Sequence, residues 1–99
     1  MEKRRPHYDL KAIQAQMNCI EAMNLTVTAR HGIKAAGMFL ADALAAIRRL
    51  LPGNFYKAMT VYADSRVWQD VYHAEWKGKA VYIKFQQQDE YFIVSFKER

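Results

Sequence analysis

The side chains with the clearest chemical use lie near the C-terminus. Val81, Ile83 and Phe85 alternate with Tyr82, Lys84 and Gln86, and Phe92, Val94 and Phe96 alternate with Tyr91, Ile93, Ser95 and Lys97. In strands, alternate residues point to opposite faces, so one face is apolar core. The other gathers Tyr82, Lys84, Gln86, Tyr91 and Lys97. Such a face suits RNA: lysines meet phosphates, tyrosines stack on bases, and Gln reads base edges. A solvated sheet face has the same composition, and pattern alone leaves both readings open.

Other chemistries have weaker support. His7, His31 and His73 share no metal-ligand spacing, so no metal site is expected. Cys19 has no His near it in sequence and reads as a half-buried structural thiol. There is no glycine-rich phosphate loop and no Gly-x-Ser-x-Gly elbow. Lys3-Arg4-Arg5 reads as a mobile tail and Arg48-Arg49 as a solvated helix end. Trp68 and Trp76 read as packing residues.

The chain has 99 residues, which sets the expectation of one domain over residues 1–99. A chain of this size buries roughly 60–65% of its unfolded surface, enough for one modest core. Apolar residues make up 52% and charged residues 25%, which excludes a disordered chain. One cysteine excludes an internal disulfide and a thiolate cluster. Fifteen Lys and Arg against ten Asp and Glu leave +5, which favours a polyanionic partner. No signal segment is visible, and no apolar run approaches the roughly 20 residues of a membrane span. The expectation is a cytoplasmic protein with no membrane contact.

These residues need a scaffold. Leu10, Ile13, Met17 and Ile20 form a helical stripe behind a capping Asp9. Residues 24–28 alternate β-branched side chains and suggest a short edge strand. A short helix from 28 or 29 to 36 stops at Gly37. A further helix presents Leu40, Leu44, Ile47 and Leu51 on one face and ends at Pro52-Gly53-Asn54. Strands follow at 55–62, 66–72, 80–86 and 91–97, with short connections that imply antiparallel neighbours. Helices first and strands later is an α+β pattern, with N-terminal helices packed on a C-terminal antiparallel β-sheet.

A longer-range pattern narrows the function. Asn54-Phe55-Tyr56-Lys57-Ala58-Met59-Thr60 is followed by Trp68-Gln69-Asp70-Val71-Tyr72, then Val81-Tyr82-Ile83-Lys84 and the terminus Ile93-Val94-Ser95-Phe96-Lys97-Glu98-Arg99. With Met1-Glu2-Lys3-Arg4 and Pro6-His7, this order resembles the motility quorum-sensing regulator (MqsR) family of bacterial toxins. The match is dense over residues 54–99 and thin over 9–52.

The resemblance implies a RelE-like toxin fold and a type II toxin. It also implies an mRNA interferase that cuts single-stranded mRNA at short GC-containing triplets without the ribosome and without a cofactor. It implies a zinc-binding antitoxin partner, with the zinc in the antitoxin, and contact with operator DNA only through that complex. Family residues implicated in cleavage match here as Lys57, Gln69, Tyr82 and Lys97. Tyr56 and Met59 match residues near the site, and His73 and Lys84 are added as RNA-binding candidates. Metal-free cleavage uses the ribose 2′-hydroxyl as nucleophile and needs a proton acceptor, a proton donor and charge for the phosphorane. Lys57 and Lys97 supply charge, Tyr82 is the best proton-transfer group, Gln69 orients, and Tyr56 stacks a base. Which group is acid and which is base stays open. His73 and Asp89 stand where relatives are expected to carry arginine and histidine. That exchanges a fixed charge for a titratable one, so that activity rises as pH falls, and it adds a negative charge near the site. A silent RNA-binding module and a co-regulator acting through a protein partner remain as alternatives.

Overall fold

A computed structural model describes residues 1–99. The elements run β1 (Glu2–Lys3), α1 (Leu10–Gln16), α2 (Val27–Ala35), α3 (Leu40–Arg48), β2 (Phe55–Val61), β3 (Asp64–Trp76), β4 (Lys79–Gln88) and β5 (Tyr91–Glu98), with 3-10 turns at Ile20–Met23 and Pro52–Asn54. The strands form one antiparallel sheet in the order β1-β2-β3-β4-β5. The helices bury one sheet face around Tyr72, Val81, Ile83, Phe85, Phe92, Val94 and Phe96. The arrangement is α+β, with the expected apolar face. No helix is long and apolar enough to cross a membrane.

Local chemistry sets the helix ends. The Asp9 carboxylate accepts the Lys11 N–H at 3.1 Å, and Thr26 Oγ1 accepts the Ala29 N–H at 3.0 Å. Each satisfies a donor that the first helical turn leaves free. Gly37, at φ +73°, ends α2. Its N–H donates to Lys34 O and the Met38 N–H to Ile33 O, closing the helix with its own last carbonyls. The turn from β3 to β4 runs through Lys77 and Gly78 at φ +49° and +82°, the conformation that matches strand twist in a two-residue hairpin.

Several sequence expectations need correction. The stripe from Leu10 to Ile20 spans two elements, because α1 ends at Gln16 and Ile20 lies in the 3-10 turn. Residues 24–28 form no strand. Only Leu25 bridges Val94, and the chain turns helical once Thr26 caps α2. α3 buries Ala43, Ala46 and Ile47, and Leu50 just beyond it is buried too, while Leu51 is 67% exposed. The helix stops at Arg48 and Leu51 is extended, so helical spacing no longer governs its direction. Cys19 is exposed, not half-buried. Arg48 and Arg49 are exposed at the helix end, as expected, though each has a partner: Arg48 donates to Met17 O at 3.1 Å, and the Arg49 guanidinium sits 4.9 Å from the Trp76 ring centre.

The largest difference is at the N-terminus. Lys3 belongs to β1, and Glu2 and Lys3 pair with Met59 and Ala58 of β2. Asp70 is fully buried and its carboxylate accepts the His7 N–H at 3.0 Å and the Tyr8 N–H at 2.8 Å. That anchor holds the segment leading out of β1, and the Lys3 ammonium lies 4.2 Å from the Trp68 ring centre. Of the expected mobile tail, Lys3 is therefore part of an edge strand, and Arg4 and Arg5 form an exposed bend after it.

Candidate active site

The sheet face opposite the helices carries the polar side chains in cross-strand rows. Tyr82 on β4 lies between His73 on β3 and Lys97 on β5. One pair along, Lys84 lies between Val71 and Ser95, and Val71 faces Lys57 on β2. The next row runs Glu2, Met59, Gln69, Gln86 and Ile93. Tyr56 joins this face through a bulge: Phe55 pairs with Tyr72 and Lys57 with Val71, which leaves Tyr56 as the extra residue.

The first two rows form a compact cluster. The Tyr56 ring stacks on the His73 imidazole at 4.2 Å and 17°. The His73 and Tyr82 ring centres are 6.0 Å apart. The Lys57 ammonium is 5.5 Å from the Tyr56 ring centre, and that of Lys97 is 5.2 Å from the Tyr82 ring centre. Cations at these distances are drawn to the negative faces of the rings, which holds both lysines over the site. Gln69 and Met59 stand one row away, and Gln69 Nε2 donates to Gln86 Oε1 at 2.8 Å.

Electrostatics sorts the roles. Burial raises the Tyr82 phenol above its ordinary 10.0; the Lys57 charge opposes this and Tyr56 adds to it. Tyr82 therefore stays protonated at neutral pH. Burial lowers the His73 imidazole from 6.5, with the Arg99 charge adding to the shift, so it is neutral at pH 7. Burial also lowers the Lys84 ammonium, helped by the charge of Lys97. The cation perturbed by a like charge is thus Lys84.

Glu2 and Asp89 fall differently from expectation. Glu2 was passed over in sequence because nothing local joins residue 2 to residue 57, yet its carboxylate pairs with Lys57 at 3.2 Å. Asp89 sits exposed in the turn after β4, five residues beyond Lys84, which is about 15 Å along a strand. It puts no negative charge in the cluster.

The profile of the family described as "Motility quorum-sensing regulator, toxin of MqsA" matches residues 5–98. The chain belongs to the MqsR toxin family. A relative from Escherichia coli (strain K12), named mRNA interferase toxin MqsR, is 34% identical over 99 residues, covering 100% of both chains. Of the residues that the MqsR resemblance singles out, Lys57, Tyr82, Lys97 and Tyr56 fall in the cluster and Gln69 and Met59 at its margin. His73 and Lys84 also lie in the cluster. Ser95, the cross-strand partner of Lys84, was read only as a face residue. Its alternation was visible; its pairing with a half-buried lysine was not.

Proposed function

We propose that this chain is an mRNA interferase toxin: a metal-independent endoribonuclease that cuts single-stranded mRNA at short GC-containing triplets. The observation that carries this reading is the convergence of Lys57, Lys84 and Lys97 around a protonated Tyr82 and a neutral His73. The His73 imidazole accepts the proton of the ribose 2′-hydroxyl. The 2′-oxygen forms a bond to the adjacent phosphorus, the bond from phosphorus to the 5′-oxygen breaks, and Tyr82 donates a proton to the leaving oxygen. Lys57 and Lys97 stabilise the charge on the phosphorane, where a preorganised donor contributes about 10²–10³-fold. Tyr56 stacks a base beside the scissile bond, and Gln69 and Met59 line the path of the strand. The products are a 2′,3′-cyclic phosphate and a 5′-hydroxyl.

The helices-on-sheet arrangement fits a single RelE-like toxin domain. The net charge of +5 fits an antitoxin with an acidic contact surface, read here as a zinc-binding protein like MqsA that alone brings the toxin to operator DNA. The deciding experiment incubates purified chain with RNA in excess EDTA. Cleavage with cyclic-phosphate ends is expected. Intact RNA with folded protein would leave a silent RNA-binding module, and cleavage lost on chelation would remove the metal-free mechanism.

The pH profile tests His73. Its protonation adds a cation for phosphate but removes the proton acceptor. As pH falls through its pKa, which lies below 6.5, kcat should drop about tenfold per pH unit while KM falls. A kcat that holds or rises on that limb would reassign the base and favour the purely phosphate-binding role.

A further inference from the structure

A cavity of about 170 Å³ lies between the start of α2 and strands β4 and β5, lined in part by Thr28, Tyr82, Lys84, Ser95 and Lys97. Two contacts fix its wall. The Thr26 N–H donates to Val94 O at 3.2 Å, and Gly32 brings α2 against the Phe96 carbonyl. The start of α2 therefore runs along the free edge of β5, beside the polar face of the sheet.

The charge in this cavity is uncompensated. The ion pairs of the fold are Lys57–Glu2, Arg66–Asp64, Lys77–Asp42 and Lys79–Glu98; neither Lys84 nor Lys97 belongs to one. Lys84 is half-buried beside the exposed Lys97, and both its burial and the Lys97 charge lower its ammonium pKa. Two cations lining one cavity without a counterion repel, and an anion placed between them lowers that cost. Ser95, directly across from Lys84, and Thr28 add hydroxyl donors.

We propose that this cavity is a phosphate subsite, in which Lys84 and Ser95 hold the backbone phosphate next to the scissile one while Lys97 faces both. The placement on RNA rests on the nuclease reading; the affinity for phosphate does not. The subsite makes Lys84 a substrate-binding residue that acts on KM, in contrast to Tyr82, which acts on kcat.

The test has two arms on the full chain. Inorganic phosphate is titrated at constant ionic strength while Thr28, Lys84 and Ser95 are followed by NMR. Saturable shifts at these residues are expected. Lys84→Gln should weaken the phosphate Kd by about 10- to 100-fold, as loss of a hydrogen bond to a charged group does, and Lys84→Arg should restore most of it. No saturable shift, or an unchanged Kd in Lys84→Gln with a wild-type melt, overturns the subsite. The second arm uses RNA carrying one neutral methylphosphonate at each position in turn. A rise in KM at one phosphate beside the cut, with no further rise when Lys84→Gln is combined with it, supports the placement. Equal effects at every phosphate would overturn it. Intact RNA together with a normal phosphate response would sink the nuclease reading and leave the subsite standing.

Discussion

Tyr82→Phe is expected to lower RNA cleavage by about 10²–10⁴-fold, the range that one positioned proton-transfer group supplies. The substitution removes a single oxygen. Phe keeps the ring, its place between His73 and Lys97, and the partial burial that Tyr82 has on β4. Folding and RNA affinity should stay close to wild type, and the loss should fall on kcat. The direction follows from the phenol's environment. Burial holds it above 10.0, so at neutral pH it carries the proton that the leaving 5′-oxygen needs. Lys57, whose charge opposes that shift, lies near enough to stabilise the phenolate left behind. Single-turnover cleavage of a short RNA, beside a thermal melt, measures this directly. A variant that cuts at the wild-type rate would remove Tyr82 from the chemistry and pass the donor role to a lysine, with Lys84 the first to examine.

Gly32→Ala is expected to destabilise the fold by about 1–3 kcal/mol. Two effects compete. Alanine favours a helix interior over glycine by about 1 kcal/mol, and Gly32 lies inside α2. Against that, a β-carbon at position 32 would stand 2.5 Å from the Phe96 carbonyl oxygen and 3.4 Å from Lys97 Cα. Both are backbone atoms of β5 and cannot rotate aside, so α2 or the strand must move. The steric cost exceeds the propensity gain. For a domain of this size it corresponds to a fall in Tm of about 5–20 °C. Thermal unfolding of the purified variant reads the sign: a Tm at or above wild type would mean that α2 slides without loss, and that its close approach to β5 is not a fixed part of the fold.

These two positions differ in how visible they were. Tyr82 stood out from alternation, and the MqsR resemblance marked it independently. Gly32 carried no sequence signal, since a glycine inside a nine-residue helix reads as a weak spot until a neighbouring carbonyl is found against it. Asp70 is a similar case. Its burial carried no sequence signal, since its partners are two backbone N–H groups more than sixty residues away. The expected strand at 24–28 failed for a local reason, because Thr26 spends its side chain on capping α2 and not on a sheet face.

By itself the sequence determined the apolar and polar faces of β4 and β5, the α+β class, the MqsR kinship and the candidate residues Lys57, Gln69, Tyr82 and Lys97. These are properties of period and order along the chain, which local sterics translate directly into which side a residue faces. Tertiary structure alone decided how those residues meet. It set the bulge that turns Tyr56 onto His73 and the N-terminal strand that brings Glu2 to Lys57. It also set the helix edge that forms a cavity lined by Lys84 and Lys97. Each depends on cross-strand register or on the approach of distant backbones, and so on packing energies that no short window of sequence contains. The protonation states followed from the same cause, since burial, more than any neighbour in sequence, holds Tyr82 protonated and His73 neutral.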